Sequence, residues 1–149
     1  MKKKIGIIVI VILLIQLIRI DKNNPPVDPN KDYIKITHAP AQIAEIIKKA
    51  CYDCHSNEVK YPWYTNLAPI SWYIKGHINE GKEYLNFSEF GNYNMYQKEH
   101  INSGLVSAIK RETMPLSSYV WMHKEAELTS QEKTILLNWF EIFDKKSDK

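Results

Sequence analysis

Residues 51–55 read Cys51-Tyr52-Asp53-Cys54-His55 and hold the only two cysteines of the 149-residue chain. Two thiols at this spacing, followed at once by an imidazole, are arranged to add across the two vinyl groups of haem while the histidine ligates its iron. Any fold adopted by the chain must then bring this string against a flat, apolar cofactor. Two other readings compete. A thioredoxin-like redox pair shares the thiol spacing but expects strands leading into the motif, and none is visible. Half of a zinc site would draw further ligands from His38, His77, His100 or His123, yet no second tight ligand pair accompanies them. The haem reading predicts one haem c, attached covalently at Cys51 and Cys54, with His55 as the proximal iron ligand.

The amino terminus sets the compartment expected for such chemistry. Lys2, Lys3 and Lys4 precede a sixteen-residue stretch, Ile5 to Ile20, broken only by Gly6, Gln16 and Arg19. As a helix it is roughly 24 Å long at about 1.5 Å per residue, slightly short of a hydrocarbon core, and Arg19 can snorkel. No small-x-small cleavage site follows, so residues 1–20 are expected to form an uncleaved signal anchor, a transmembrane helix. The positive-inside rule then keeps the lysines in the cytoplasm and exports the rest to the periplasm. The expected localisation is a single-pass inner-membrane protein. Residues 21–37, which include Pro25, Pro26 and Pro29, read as a semi-extended tether; the haem domain follows at 38–144 and a polar tail at 145–149.

Net charge is +3, but Lys2, Lys3, Lys4 and Arg19 supply four positive charges with no acid among the first twenty residues, leaving −1 for the other 129. Basicity therefore gives no argument for nucleic-acid binding.

Helical spacing organises what remains. Ile43, Ile46, Ile47 and Ala50 fall on one face of a helix opened by Pro40, which delivers the motif at its end. A proline- and aromatic-rich loop over residues 61–69 follows, with Trp63 and Tyr64, and then Trp72, as expected walls of the haem pocket. A second helix runs from Ile70 to about Tyr84 with His77 on its inward side, an alternative distal ligand or a core histidine. A third lies between Tyr93 and Arg111. Met114-Pro115 comes after it, on a loop where a soft thioether is free to reach iron, so Met114 is the expected distal ligand. His123 and Met122 are weaker candidates. Thr129-Ser130-Gln131-Glu132 is a capping box opening a last helix with Ile135, Leu136, Trp139, Phe140 and Phe143 on its apolar side. No alternating strand pattern or repeat occurs, so the fold class is all-α.

The order of helix, haem motif, Met-Pro and terminal amphipathic helix resembles a class I cytochrome c, in which first and last helices cross. Closer still, the strings 51–57, 61–64, 68–72, 77–81, 85–90, 114–116, Tyr119 and 123–128 resemble the small bacterial haem-binding domain family over residues 38–143. Phe90 stands where that pattern leads us to expect Trp. The resemblance implies haem at Cys51 and Cys54 and ligation by His55, while Met114, His77 and His123 all match family strings. Together these features predict a membrane-anchored mono-haem cytochrome that passes single electrons between redox partner proteins and is not an enzyme. A haem sensor with an open distal site is the alternative. A peroxidase-like enzyme using Trp63 or Trp72 as radical relays lacks an acid–base pair for peroxide cleavage.

Overall fold

The computed structural model describes residues 1–147, with side chains through Ile142, so the expected contribution of Phe143 lies outside the described residues, as do the last two residues of the expected tail. All regular elements among the described residues are helical. The chain forms α1 (Lys2–Ile15), α2 (Tyr33–Thr37), α3 (Ala41–Ala50), α4 (Tyr52–His55), α5 (Ile70–Tyr84), α6 (Met95–Lys110), α7 (Ser117–Met122) and α8 (Ser130–Ser147), joined by three 3-10 turns.

Local signals account for most boundaries. The Asn94 side chain accepts from Gln97 N while the Gln97 amide reaches back to Asn94 N, both at 2.9 Å, and α6 begins there. Thr129 and Glu132 do the same for α8, with Thr129 N donating to Glu132 Oε2 at 2.9 Å and Glu132 N donating to Thr129 Oγ1 at 3.2 Å. Asp32 caps α2 by accepting from Ile34 N at 2.9 Å.

The core forms where the apolar face of α3 meets α6, α8 and the 3-10 turn Phe87–Asn92, with Ile47, Phe87, Leu136 and Phe140 almost wholly buried. The helix before the motif and the last helix do touch, through the Lys49–Glu132 ion pair at 2.5 Å. The main partner of α8 is nevertheless α6, where the buried Asn102 amide donates to Phe140 O at 2.6 Å. Tyr33 lies inside the stretch read as a tether, yet it is buried and its hydroxyl accepts from the Trp139 indole at 3.1 Å. Its rings pack edge-on against Phe87 and Phe90, at 5.2 and 4.8 Å between centroids.

The expected transmembrane helix is overturned. Among the described residues no helix is long and apolar enough to cross a membrane. α1 has 14 residues, about 21 Å at about 1.5 Å per residue, and it ends at Ile15. The residues expected to complete the span are spent on the domain instead. The Gln16 amide donates to Ala68 O and accepts from Ala68 N, both at 3.0 Å. Arg19 donates to Asn66 O at 2.9 Å, and the Trp72 indole donates to Ile18 O at 3.0 Å. A polar strap thus begins where a further turn of apolar helix was expected, and the single-pass inner-membrane localisation built on that helix is withdrawn with it.

Candidate haem site

The motif folds as a helical turn set just beyond α3. Cys51 breaks the regular path at φ −126° and ψ −38°, and the turn then closes through His55 N donating to Cys51 O at 2.9 Å. Cys51, Cys54 and His55 are thereby held within one turn of each other, Cys51 packed against the core and Cys54 beside the recess described below. Downstream, Ser56 Oγ donates to Tyr52 O at 2.7 Å and Asn57 N donates to the buried Ser88 Oγ at 3.0 Å, which ties the end of the motif to the Phe87–Asn92 turn.

α5 crosses directly over this turn. A Cβ added at Gly81 would lie 2.8 Å from Cys54 O and 3.4 Å from His55 Cε1, so a glycine is what lets the two backbones approach. Where α5 ends, Leu85 O lies 3.2 Å from His55 Nδ1. A carbonyl can only accept, so Nδ1 carries the proton and Nε2 keeps its lone pair. Burial holds the His55 pKa below the ordinary imidazole range, against an opposing pull from the Leu85 and Gly81 carbonyls. Burial prevails, and with Nδ1–H held by Leu85 O it leaves a neutral imidazole with one directed lone pair, the form that ligates a metal.

The two thiols are free and their acidity is suppressed. Burial, helped by Cys54, pushes Cys51 up to about 12; burial and Asp53 push Cys54 up to about 11. A thiol–disulfide redox pair needs the opposite, an attacking thiolate stabilised near neutral pH. Zinc fares no better, since among the described residues no group of three or more His, Cys, Asp or Glu is placed to hold a metal ion.

Beside Cys54 opens a cavity with about 530 Å³ of space not filled by atoms, counting its open mouth. Pro62, Ile74, Ile78 and Leu116 give it apolar walls, and Tyr64, Tyr73, His77, Tyr119 and His123 add rings. The chemistry of the set fits haem: two thiols, one free imidazole nitrogen, and an apolar, aromatic recess next to one of the thiols. Cys51 and His55 themselves do not line the recess.

The residues expected on the distal side separate. His77 lines the cavity; its Nδ1 lies 3.2 Å from Tyr73 O and its ring 4.2 Å from the Tyr73 ring, which again leaves Nε2 with a lone pair. Met114 does not line it and is 37% exposed. His123 lines it with both nitrogens engaged, Nε2 by the Tyr64 hydroxyl at 2.5 Å and Nδ1 by Glu125 at 3.0 Å. Met122 is exposed. Of the three expected wall aromatics only Tyr64 is present in the wall; Trp63 is 69% exposed, and Trp72 turns its indole N–H to the strap.

Sequence reasoning passed over two contributors. Asp53, the acidic residue inside the motif, accepts from the Tyr119 hydroxyl at 2.7 Å and so fastens α7 across the cavity. Burial first, then Asp53, raises the Tyr119 pKa, keeping that hydroxyl a donor. Tyr119 in turn stacks on His123, 4.4 Å between centroids at 19°. The only advance signal was Tyr119 matching a family string, because the contact joins residues 66 positions apart.

No curated protein and no solved structure matches the chain. A family model described as a haem-binding domain does match, over residues 10–142, including the motif turn, the cavity and every helix described from α2 to α7. With its thiols, its neutral imidazole and its apolar recess, this chain belongs to the haem-binding domain family and binds haem.

Proposed function

We propose that the chain carries a single haem c, bonded through Cys51 and Cys54 and ligated by His55, and that it passes single electrons between protein redox partners. One observation carries this reading: within one helical turn of both thiols, the Leu85 carbonyl fixes on His55 the tautomer that frees Nε2. When bound, haem supplies a ferric–ferrous couple, and the protein tunes it through axial ligand and burial. Pro62, Ile74, Ile78 and Leu116 give the recess apolar walls, the surroundings that tune such a couple.

For the sixth position, cavity geometry supports His77 over Met114: His77 faces the recess with a free Nε2, whereas Met114 lies outside its wall. Spectroscopy of the haem-loaded chain separates the two. His77 ligation gives a low-spin ferric spectrum without the near-infrared thioether band, turning high-spin in His77→Ala and unchanged in Met114→Ala. A thioether band lost in Met114→Ala reverses the assignment. A high-spin ferrous form that binds carbon monoxide readily favours the sensor reading over the electron carrier.

A further inference from the structure

The polar strap that follows α1 converges on one short part of the domain. The Gln16 amide donates to Ala68 O and accepts from Ala68 N, and Arg19 donates to Asn66 O. Lys22 Nζ donates to Asn66 Oδ1 at 2.6 Å, and the Asn24 amide donates to the carbonyl of the buried Val59 at 2.8 Å. Trp72, in the first turn of α5, returns a bond to Ile18 O. Residues 16–24 thus grip residues 59–72 at Val59, Asn66, Ala68 and Trp72.

The gripped loop has little of its own to hold it. Pro62 and Pro69 carry no N–H, and the 3-10 turn Trp63–Asn66 closes through Thr65 N on Pro62 O and Leu67 N on Tyr64 O, at 3.0 and 3.1 Å. Among residues 61–70 only Thr65 is buried, so core packing does not fix the loop either. Its backbone groups at Asn66 and Ala68 take strap side chains as partners. Yet this loop is part of the recess. Pro62 and Tyr64 line it, as do Tyr73 and Ile74, which follow Trp72 directly. The Tyr64 hydroxyl also meets His123 Nε2, so a displaced loop would release His123 along with Tyr64.

We propose that residues 16–24 are a positioning element of the haem site: they brace residues 61–69 and the start of α5, and so set how readily a small ligand of the imidazole class enters the recess and reaches iron. The inference rests on the recess being where haem is held. Gln16, Arg19 and Trp72 do not line the recess, so they act through the loop that does.

The test uses the full chain in two forms. In the haem-free chain, the combined Gln16→Ala, Arg19→Ala variant exchanges the amides of residues 63–68 roughly tenfold faster than the unmodified chain, while α6 and α8 exchange as before. In the haem-loaded chain the same variant binds added imidazole at ferric iron roughly tenfold faster, with an unchanged urea midpoint. Gln16→Glu with Arg19→Lys, which keeps an acceptor for Ala68 N and a donor for Asn66 O, restores most of both differences. Trp72→Phe removes one indole N–H and moves both readouts in the same direction should the double variant not fold. Imidazole binding that stays unchanged while the loop exchanges faster would overturn the proposal. So would unchanged loop exchange, or a rise in exchange shared equally by α6 and α8. If Tyr64→Ala, which opens the wall itself, leaves imidazole binding unchanged, the recess is not the way to iron and the underlying reading fails instead.

Discussion

The two sides of the candidate haem site are built by different means. The His55 side is local: a five-residue string folds on itself, and one helix, α5, completes it with a glycine at the crossing and a carbonyl at its end. The opposite side is assembled from afar, the 61–66 loop, the first half of α5, Leu116 and α7 meeting around a recess. On the first side close packing fixes each group. On the second, hydrogen bonds such as Tyr119 to Asp53 and Tyr64 to His123 hold separate segments in place. Spacing can therefore encode the first side, while the second exists only once the chain has folded.

This difference predicts a ranking of damage. Phe87 is fully buried, stacks on Tyr52 at 5.3 Å and meets the edge of His55 at 6.4 Å. Phe87→Ala should cost about 3–5 kcal/mol, read from the midpoint of urea unfolding. Gly81→Ala comes next at about 1–3 kcal/mol, because the new methyl meets backbone that cannot swing aside. It should also reduce the yield of haem-loaded protein. Tyr119→Phe removes one hydrogen bond to a carboxylate on the assembled side; about 1–2 kcal/mol is expected, together with faster amide exchange in α7 and little change in α4. Were Tyr119→Phe to disturb α4 as much as α7, the two sides would not be separable in this way. Trp63→Ala, on an exposed ring, should stay within about 0.5 kcal/mol.

The smallest effect is a pH dependence remote from both sides. Hydrogen bonding by Lys49 and then by Thr129 N holds the Glu132 pKa below the ordinary carboxylate range. A depressed folded pKa means the unfolded chain binds the proton first, so the contribution is complete above the ordinary glutamate pKa and is lost as pH falls through the folded value. Glu132→Gln should flatten the acid limb of the stability curve without moving the haem spectrum.

Legibility in the sequence followed the same division. The motif, the extents of α3 and α5 and the capping box of α8 depend on residues a few positions apart, and spacing and capping chemistry point to them; the Asn94–Gln97 box that opens α6 is equally local but is not among the sequence expectations. His77 was placed on the inward face of α5 by the same periodicity, and it lines the recess. Met114 was favoured over it on local grounds, a thioether on a proline-locked loop. In the fold this loop brings Leu116 to the recess and leaves Met114 more than a third exposed. The contact of Asp53 with Tyr119 spans 66 residues and leaves no periodic trace. At the amino terminus hydropathy was read correctly but its length was not. Gln16 and Arg19 were counted as interruptions of an apolar helix, yet their hydrogen bonds to Ala68 and Asn66 are what the chain uses them for. Tyr33 was hidden by its prolines; the aspartate directly before it, an N-cap, was the available sign that helix resumed there.

The central claim is that Cys51, Cys54 and His55 form one covalent haem-holding unit. It is tested most directly by intact mass spectrometry of the haem-loaded chain after acid–acetone extraction. The predicted result is a chain heavier by one haem, a gain abolished when Cys51 and Cys54 are both replaced by alanine. Release of the haem by extraction, leaving the bare polypeptide mass, would contradict it.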